Sequence, residues 1–341
     1  MKLFTCDSCR HTLYFESSRC VNCNATLAYH PESAQLATLK PGERLCRNAL
    51  ERETCNWLVT SGPESAYCNS CELSSVIPDL SDAVNEQAWR RIEGAKRRLL
   101  YSLYALKLPV EGRAQRPDDG LTFRFLKGTE SEPIMTGHDE GVITLNVDEA
   151  DFAFRENMRE KMGEGYRTVL GHLRHEIGHY YWARLIADAG KLELFRGCLG
   201  DESASYEEAL ERHYNYGPHP NWGEWFISAY ASMHPWEDFA ETWAHYMHMV
   251  DTLETAKSHG LTVKLPTADK PSERITTDRL TFFDFEALTA GWNGVTLAMN
   301  SLNRSMGMKD AYPFVLTSAV LGKLRFVHNL VQEQRQARAA A

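Results

Sequence analysis

The chain has 341 residues, of which 43% are hydrophobic and 24% are charged, and its formal net charge is −9. This composition is typical of a globular protein with a core of useful size, and the negative charge argues against nucleic acid as a partner. No run of residues is apolar and long enough to span a bilayer. The first residues, Met1–Asp7, lack the apolar segment of a secretory signal. We therefore expect a cytoplasmic protein without a membrane partner.

Three regions follow one another along the chain. Residues 1–75 are rich in cysteine and poor in helical periodicity, which is typical of a small metal-stabilised module. Residues 76–117 contain one amphipathic segment and predict a linking helix. Residues 118–341 form the largest region, in which two strand patterns, Leu121–Phe125 and Gly141–Val147, precede helical ones. The helical patterns lie near residues 160–189, 203–214, 236–257, 284–304 and 314–336. The sequence predicts an α+β fold dominated by helices.

The linking helix carries a run of basic residues. They are Arg90, Arg91, Lys96, Arg97 and Arg98. The simplest interpretation is a solvated helix face, and a patch for nucleic acid or an acidic partner is the alternative.

Eight of the nine cysteines precede residue 72, in paired spacings that are typical of metal sites rather than of disulfides. One group consists of two CxxC pairs, Cys6, Cys9, Cys20 and Cys23. The other group has a looser first pair and comprises Cys46, Cys55, Cys68 and Cys71. Each group can supply four thiolates, which form a closed tetrahedral shell around zinc. We therefore predict two structural zinc ions, and a protein partner of this module is a further possibility that spacing leaves open.

The segment His175–His179 has the pattern HExxH. On a helix, His175 and His179 lie one turn apart and face the same way, so both can bind one zinc ion. Glu176 then lies beside the open coordination position, where it can act as general base and afterwards as general acid. This predicts one catalytic zinc ion and a hydrolytic reaction.

A catalytic zinc ion needs a third protein ligand. Glu237 and Glu241 are four residues apart on a predicted helix whose opposite face is aromatic, and buried carboxylates require a cation or hydrogen-bond donors. We predict that Glu237 binds the metal and that Glu241 orients a ligand histidine. Glu202 is the rival third ligand, because some zinc peptidases place the third-ligand glutamate about one helix beyond the second histidine. His245 and His248 continue the Glu237–Glu241 stripe, and a core or surface position is the simpler interpretation of each.

The chain as a whole resembles a bacterial family of zinc-ribbon metallopeptidases. The matching stretches are Cys6–Cys23, Cys55–Val59, His175–Trp182, His234–Glu241 and Leu302–Gly307. The resemblance implies a zincin-like metallopeptidase domain preceded by a double zinc ribbon.

A narrower resemblance, to the catalytic domain of anthrax lethal factor, covers the HExxH helix and the Glu237–Glu241 helix. It implies that Glu237 is the zinc ligand and that Tyr230, seven residues earlier, stabilises the oxyanion. Packing is the alternative role of Tyr230. Analogy with zincins further implies that Gly141–Val147 is an edge strand that pairs with extended substrate.

These observations predict a zinc-dependent peptidase that hydrolyses a peptide or isopeptide bond in a protein or peptide substrate. Two alternatives stay open. One is a partner-binding or regulatory zinc-ribbon protein with a vestigial hydrolase site, and the other is a zinc amidase that acts on a non-peptide bond.

Overall fold

The computed structural model describes residues 1–129, 131–162, 167–265, 273–276 and 283–340. The chain folds into two compact units. The first comprises Met1–Met158 with Thr168–Leu173, and the second comprises Arg159–Arg167 with Arg174–Ala341.

The cysteine-rich part of the first unit is built from short antiparallel hairpins. Its elements are β1 (Phe4–Thr5), β2 (Thr12–Leu13), β3 (Leu27–His30), β4 (Gln35–Thr38) and the short helix α1 (Arg47–Leu50). The aromatic rings of Phe15, Tyr29, Trp57 and Tyr101 pack together, with Phe15 5.0 Å from Tyr29 and 5.1 Å from Tyr101 between ring centroids. This small core ties the hairpins to the helix that carries Tyr101.

That helix, α2 (Ala83–Ala105), is the predicted linking helix. It begins at Asp82, whose side chain accepts hydrogen bonds from the backbone NH groups of Val84 and Asn85. Such a cap satisfies NH groups that have no partner within the helix. Its apolar stripe is buried from Trp89 to Leu103.

The prediction that the basic residues of α2 form a solvated face is wrong for two of them. Lys96 and Arg97 are buried together with Glu93. Lys96 Nζ lies 2.9 Å from Glu93 Oε1, and Arg97 Nη1 lies 4.0 Å from Glu93 Oε2. Helical periodicity could not reveal this, because α2 is covered on more than one side and Glu93 offsets part of the buried positive charge.

One four-stranded sheet completes the first unit. Its strands are β5 (Ser74–Val76), β6 (Thr122–Leu126), β7 (Gly137–Asp139) and β8 (Val142–Asn146), in the order β5-β6-β8-β7. The pairs β5–β6 and β6–β8 are parallel, and β7–β8 is antiparallel. The two predicted strands are therefore present as β6 and β8. The edge position predicted for Gly141–Val147 is wrong, because the hairpin partner β7 pairs with residues 142–144 of β8.

The rest of the described chain is mostly helical. Its elements are α3 (Phe152–Met162), α4 (Val169–Trp182), α5 (Leu192–Leu199), α6 (Tyr206–Tyr216), α7 (Trp222–Trp225), α8 (Pro235–Ser258), β9 (Thr262–Leu265), β10 (Glu273–Thr276), α9 (Phe285–Ser305) and α10 (Ser318–Ala340). One turn of π-helix, Ala183–Ala187, continues α4. The predicted helix-dominated α+β class is confirmed. Within the described residues, no helix has the length and apolarity that crossing a bilayer requires.

The predicted domain boundaries at residues 75 and 117 stay a prediction. The first compact unit contains β6, β7 and β8 together with the cysteine-rich region, whereas the sequence analysis assigned these strands to the peptidase domain.

Candidate metal centres

The first cysteine cluster brings Cys6, Cys9, Cys20 and Cys23 together. Cys6 Sγ lies 3.7 Å from Cys23 Sγ, and Cys9 Sγ lies 3.5 Å from Cys20 Sγ. Zinc–sulfur bonds of about 2.3 Å in a tetrahedron place sulfurs about 3.8 Å apart, so the four thiols fit a zinc ion.

A tight turn at each CxxC pair explains why these sulfurs lie close together. The NH of Arg10 donates to the carbonyl of Cys6, and the NH of Asn24 donates to that of Cys20. Arg10 and Asn24 have positive φ angles of 66° and 60°, which close each turn tightly.

The second cluster brings Cys46, Cys55, Cys68 and Cys71 together, and all four are buried. Cys55 Sγ lies 3.7 Å from Cys68 Sγ, which again fits a four-thiolate zinc site. Burial opposes the charge of Arg97, but Cys55 and Glu93 outweigh it and raise the pKa of the guanidinium. Arg97 therefore offsets part of the negative charge of this cluster.

The third candidate metal-binding group consists of His175, His179 and Glu237, and it lies where α4 and α8 pack closely. A Cβ atom on Gly178 would lie 3.0 Å from Ala240 Cα and 3.2 Å from Trp243 Cβ. Glycine at this position therefore lets the HExxH helix approach the backbone of α8. Tyr181 stacks on Trp243 with ring centroids 4.8 Å apart, which fixes the rotation of the two helices.

The start of α8 is set by local chemistry. Pro235 occupies the first turn, where its missing NH costs nothing, and the His234 ring accepts a hydrogen bond from the NH of Trp236. Glu237 consequently lies in the first turn, next to α4. The Trp236 ring covers His179, with centroids 3.8 Å apart.

Three donor atoms converge between these helices. Glu237 Oε2 lies 2.9 Å from His175 Nε2 and 3.5 Å from His179 Nε2, and the two nitrogens are 3.2 Å apart. Ligands of a tetrahedral zinc ion with bonds of about 2.0 Å are about 3.3 Å apart. Glu237 Oε2 is buried and makes no well-aligned hydrogen bond in the described residues. The geometry fits a metal ion bound by two histidines and one glutamate.

The electrostatics of the group favour a cation. Burial lowers the pKa of His175, but Glu237 and Glu241 outweigh it and raise that pKa well above its usual value. Burial raises the pKa of Glu237, but the charges of His179 and His175 outweigh it and hold that pKa well below its usual range. The carboxylate therefore stays ionised, as a metal ligand must.

A chain of hydrogen bonds orients His175. Its Nδ1 donates to Glu241 Oε1 at 2.7 Å, and Ser228 Oγ donates to Glu241 Oε2 at 2.6 Å. Burial raises the pKa of Glu241, but the hydrogen bond and charge of His175 outweigh it and lower the pKa to about 2. With Nδ1 engaged in this way, His175 Nε2 is free to face a metal ion.

Glu176 and Tyr230 lie beside this group. Glu176 is buried, and burial raises the pKa of its carboxyl in spite of the His175 and His179 charges. The Tyr230 ring lies 6.0 Å from the His175 ring between centroids. Burial and the charge of Glu237 raise the pKa of Tyr230, so its phenol stays protonated and can donate.

The other candidate ligands, Glu202, His245 and His248, lie outside the group of His175, His179 and Glu237. Glu202 pairs with Arg196, whose Nη2 and Nε donate to its two oxygens at 2.6 and 3.0 Å. His245 Nδ1 lies 2.8 Å from the Tyr312 hydroxyl, and His248 Nδ1 lies 2.6 Å from Arg174 Nη1. Neither histidine belongs to the metal-binding group formed by the described residues.

Two polar residues of the site were missed in the sequence. The Tyr206 hydroxyl donates to Glu237 Oε1 at 2.8 Å, and Ser228 supports Glu241. Both lie outside the metal motifs. Tyr206 is the first residue of α6, and no spacing rule connects it with Glu237.

One further ion pair fixes the segment that precedes Ser228. Lys323 Nζ of α10 lies 2.6 Å from Asp238 Oδ2 and donates to the carbonyl of Trp225 at 2.8 Å. It also lies 4.0 Å from the centroid of the Phe226 ring. Because Asp238 follows Glu237 directly, α10 anchors both the ligand helix and the chain that leads to Ser228 and Tyr230.

Comparison with known proteins agrees with this geometry. A family model described as "Putative zinc-binding metallo-peptidase" matches residues 85–330, and a zinc-ribbon domain model matches residues 3–82. The chain belongs to this family. The predicted membership of a zinc-ribbon metallopeptidase family is therefore confirmed, and each part of the chain matches its own family model. The two family models meet near Asp82, the residue that caps α2.

Similar proteins of this family occur in mycobacteria. Uncharacterized proteins from Mycobacterium bovis and from the CDC 1551 and H37Rv strains of Mycobacterium tuberculosis are each 44% identical to the chain over 336 residues. The alignments cover 98% of this chain and 96% of each relative. No solved structure matches the chain significantly, and the resemblance to anthrax lethal factor stays a prediction.

Proposed function

We propose that the protein is a zinc-dependent peptidase that hydrolyses a peptide or isopeptide bond in a protein or peptide substrate. The observation that carries this proposal is the convergence of His175 Nε2, His179 Nε2 and Glu237 Oε2 within 3.5 Å of one another, beside the buried Glu176. A three-ligand set leaves a coordination position for water and substrate, whereas the two four-cysteine sets are closed and structural.

The residues have separate roles in this reaction. A bound zinc ion would lower the pKa of a water molecule and polarise the scissile carbonyl. Glu176 takes the proton of the attacking water and passes it to the leaving amine, and its raised pKa suits both steps. Tyr230 donates its phenol proton in a hydrogen bond to the oxyanion that develops on the substrate.

Access and orientation also support the assignment. The His175 side chain is 13% exposed, whereas those of His179 and Glu237 are 4% and 3% exposed. Of the three described side chains, His175 is therefore the one that solvent reaches most easily. Glu241 holds His175 in the orientation that the metal requires.

The test compares the wild type with Glu176→Gln and with Glu193→Gln. Glu193 is 90% exposed on α5 and serves as the matched control. Cleavage is measured by mass spectrometry on a peptide library, and zinc content by elemental analysis. We expect Glu176→Gln to keep its zinc and to lose about 10²- to 10⁴-fold in rate, the usual contribution of a general base. The control should match the wild type.

Two outcomes would overturn the proposal. Full activity in Glu176→Gln would remove the general base from the mechanism. A wild type that binds zinc at this centre and cleaves no peptide would favour either a regulatory zinc-ribbon protein or an amidase. A library of non-peptide amides would separate those two.

A further inference from the structure

The two oxygens of Glu237 face different partners. Oε2 faces the Nε2 atoms of His175 and His179, at 2.9 and 3.5 Å. Oε1 accepts a hydrogen bond of 2.8 Å from the hydroxyl of Tyr206. Because a phenol has only one proton, Tyr206 commits its single donor to this oxygen.

Tyr206 is itself held firmly. It is the first residue of α6, and Ser205 caps this helix by accepting from the NH of Glu208. Its ring meets those of His234 and Trp236 edge-on, with centroids 5.4 and 5.9 Å apart. An aromatic ring fixed on two sides presents its hydroxyl in one direction.

The function of such a contact follows from carboxylate chemistry. A glutamate can bind a metal ion through one oxygen or through both. The second mode would make the ion five-coordinate and crowd the coordination position that a hydrolytic zinc site must leave for water. A donor that engages the second oxygen opposes this mode, and removing a partner of this kind typically costs about 10- to 100-fold in metal affinity or activity.

We propose that Tyr206 is a positioning residue that keeps Glu237 a one-oxygen metal ligand and so keeps the water position of the centre open. This inference rests on the proposed function, because it assumes that a metal ion binds His175, His179 and Glu237.

The experiment replaces Tyr206 by Phe in the full-length protein and uses Co²⁺ as the probe. A mild chelator removes metal from the three-ligand centre, the four-thiolate zinc ions stay in place, and Co²⁺ refills the open centre. Elemental analysis verifies each step. Tetrahedral Co²⁺ absorbs visible light more strongly than five-coordinate Co²⁺. Tyr214→Phe is the matched control, since Tyr214 lies on the same helix and is 60% exposed.

We expect the visible absorption of Co²⁺ to fall in Tyr206→Phe and to stay at the wild-type level in Tyr214→Phe. In the zinc enzyme, kcat should fall about tenfold with an unchanged KM. A Tyr206→Phe spectrum identical to that of the wild type would overturn the inference, whatever the activity. Failure of the wild type to bind Co²⁺ at the centre would instead overturn the proposed function.

Discussion

The two cysteine clusters and the centre between α4 and α8 position their metal ligands in different ways. Each cluster supplies four sulfurs from short turns, such as those closed by Arg10 and Asn24. The third centre supplies three donors from two long helices and depends on contacts outside the ligand set, such as those of Glu241 and Tyr206. Ligand number therefore stabilises the clusters, whereas packing and hydrogen bonds stabilise the open centre.

The largest expected effect concerns the clusters. In Cys20→Ser, one zinc ion should be lost and residues 1–75 should become sensitive to protease, because zinc binding contributes about 10 kcal/mol to the folding of such modules. Metal at His175 and His179 should persist. Zinc analysis and limited proteolysis measure both effects. Cys198→Ser, outside every cluster, is the control, and simultaneous loss of all metal would contradict the separation of the two kinds of centre.

A second prediction removes one ligand of the open centre. Glu237→Gln should lose about one zinc ion of three and stay folded, because a neutral amide is a poor zinc ligand and the ribbons are untouched. Glu202→Gln should keep all of them, since Glu202 pairs with Arg196 instead. Elemental analysis of dialysed protein measures the zinc content of both variants. Loss of zinc only in Glu202→Gln would show that the third ligand is wrong.

A smaller effect is expected from helix packing alone. In Gly178→Ala, the new methyl group would press on the backbone of Ala240, so α4 and α8 must separate by a few tenths of an ångström. We expect zinc affinity at the open centre to fall about tenfold. In Gly197→Ala on α5, where nothing lies within 4 Å of the added Cβ, stability should instead rise by about 0.5–1 kcal/mol. Equal zinc affinity in both variants would show that close approach is not required.

The smallest expected effect concerns the pH dependence of stability at His328. This buried histidine belongs to none of the three metal-binding groups of the described residues. His328 lies 3.1 Å from the Tyr246 hydroxyl, and burial lowers the pKa of its ring. Because the folded-state pKa lies below the unfolded value of about 6.5, this contribution to stability is present above that pH. It is lost as the pH falls through the folded pKa. Denaturant unfolding between about pH 7 and pH 5 should therefore show a weaker pH dependence in His328→Gln than in the wild type. Equal slopes would contradict the assignment.

Local patterns predicted much of the molecule. The helix α2, the strands β6 and β8, and the later helices α4, α6, α8, α9 and α10 follow from hydrophobic periodicity, because this signal depends on neighbouring residues. The short helices α5 and α7 were not predicted. The same reasoning was wrong for Lys96 and Arg97 and for the edge position of β8. In both cases a distant or unrecognised segment covers the residue, and periodicity does not report such packing.

The sequence by itself determined the metal-binding residue types: CxxC turns and HExxH spacing place ligands together within one turn or one helix, where covalent geometry sets the distance. Only the tertiary structure decided which glutamate faces the histidines, that Gly178 permits the approach of α8, and that Tyr206 and Ser228 support the carboxylates. The physical reason is that these partners lie on separate elements. Their separation is fixed by side-chain packing across the whole unit, and no local spacing encodes it.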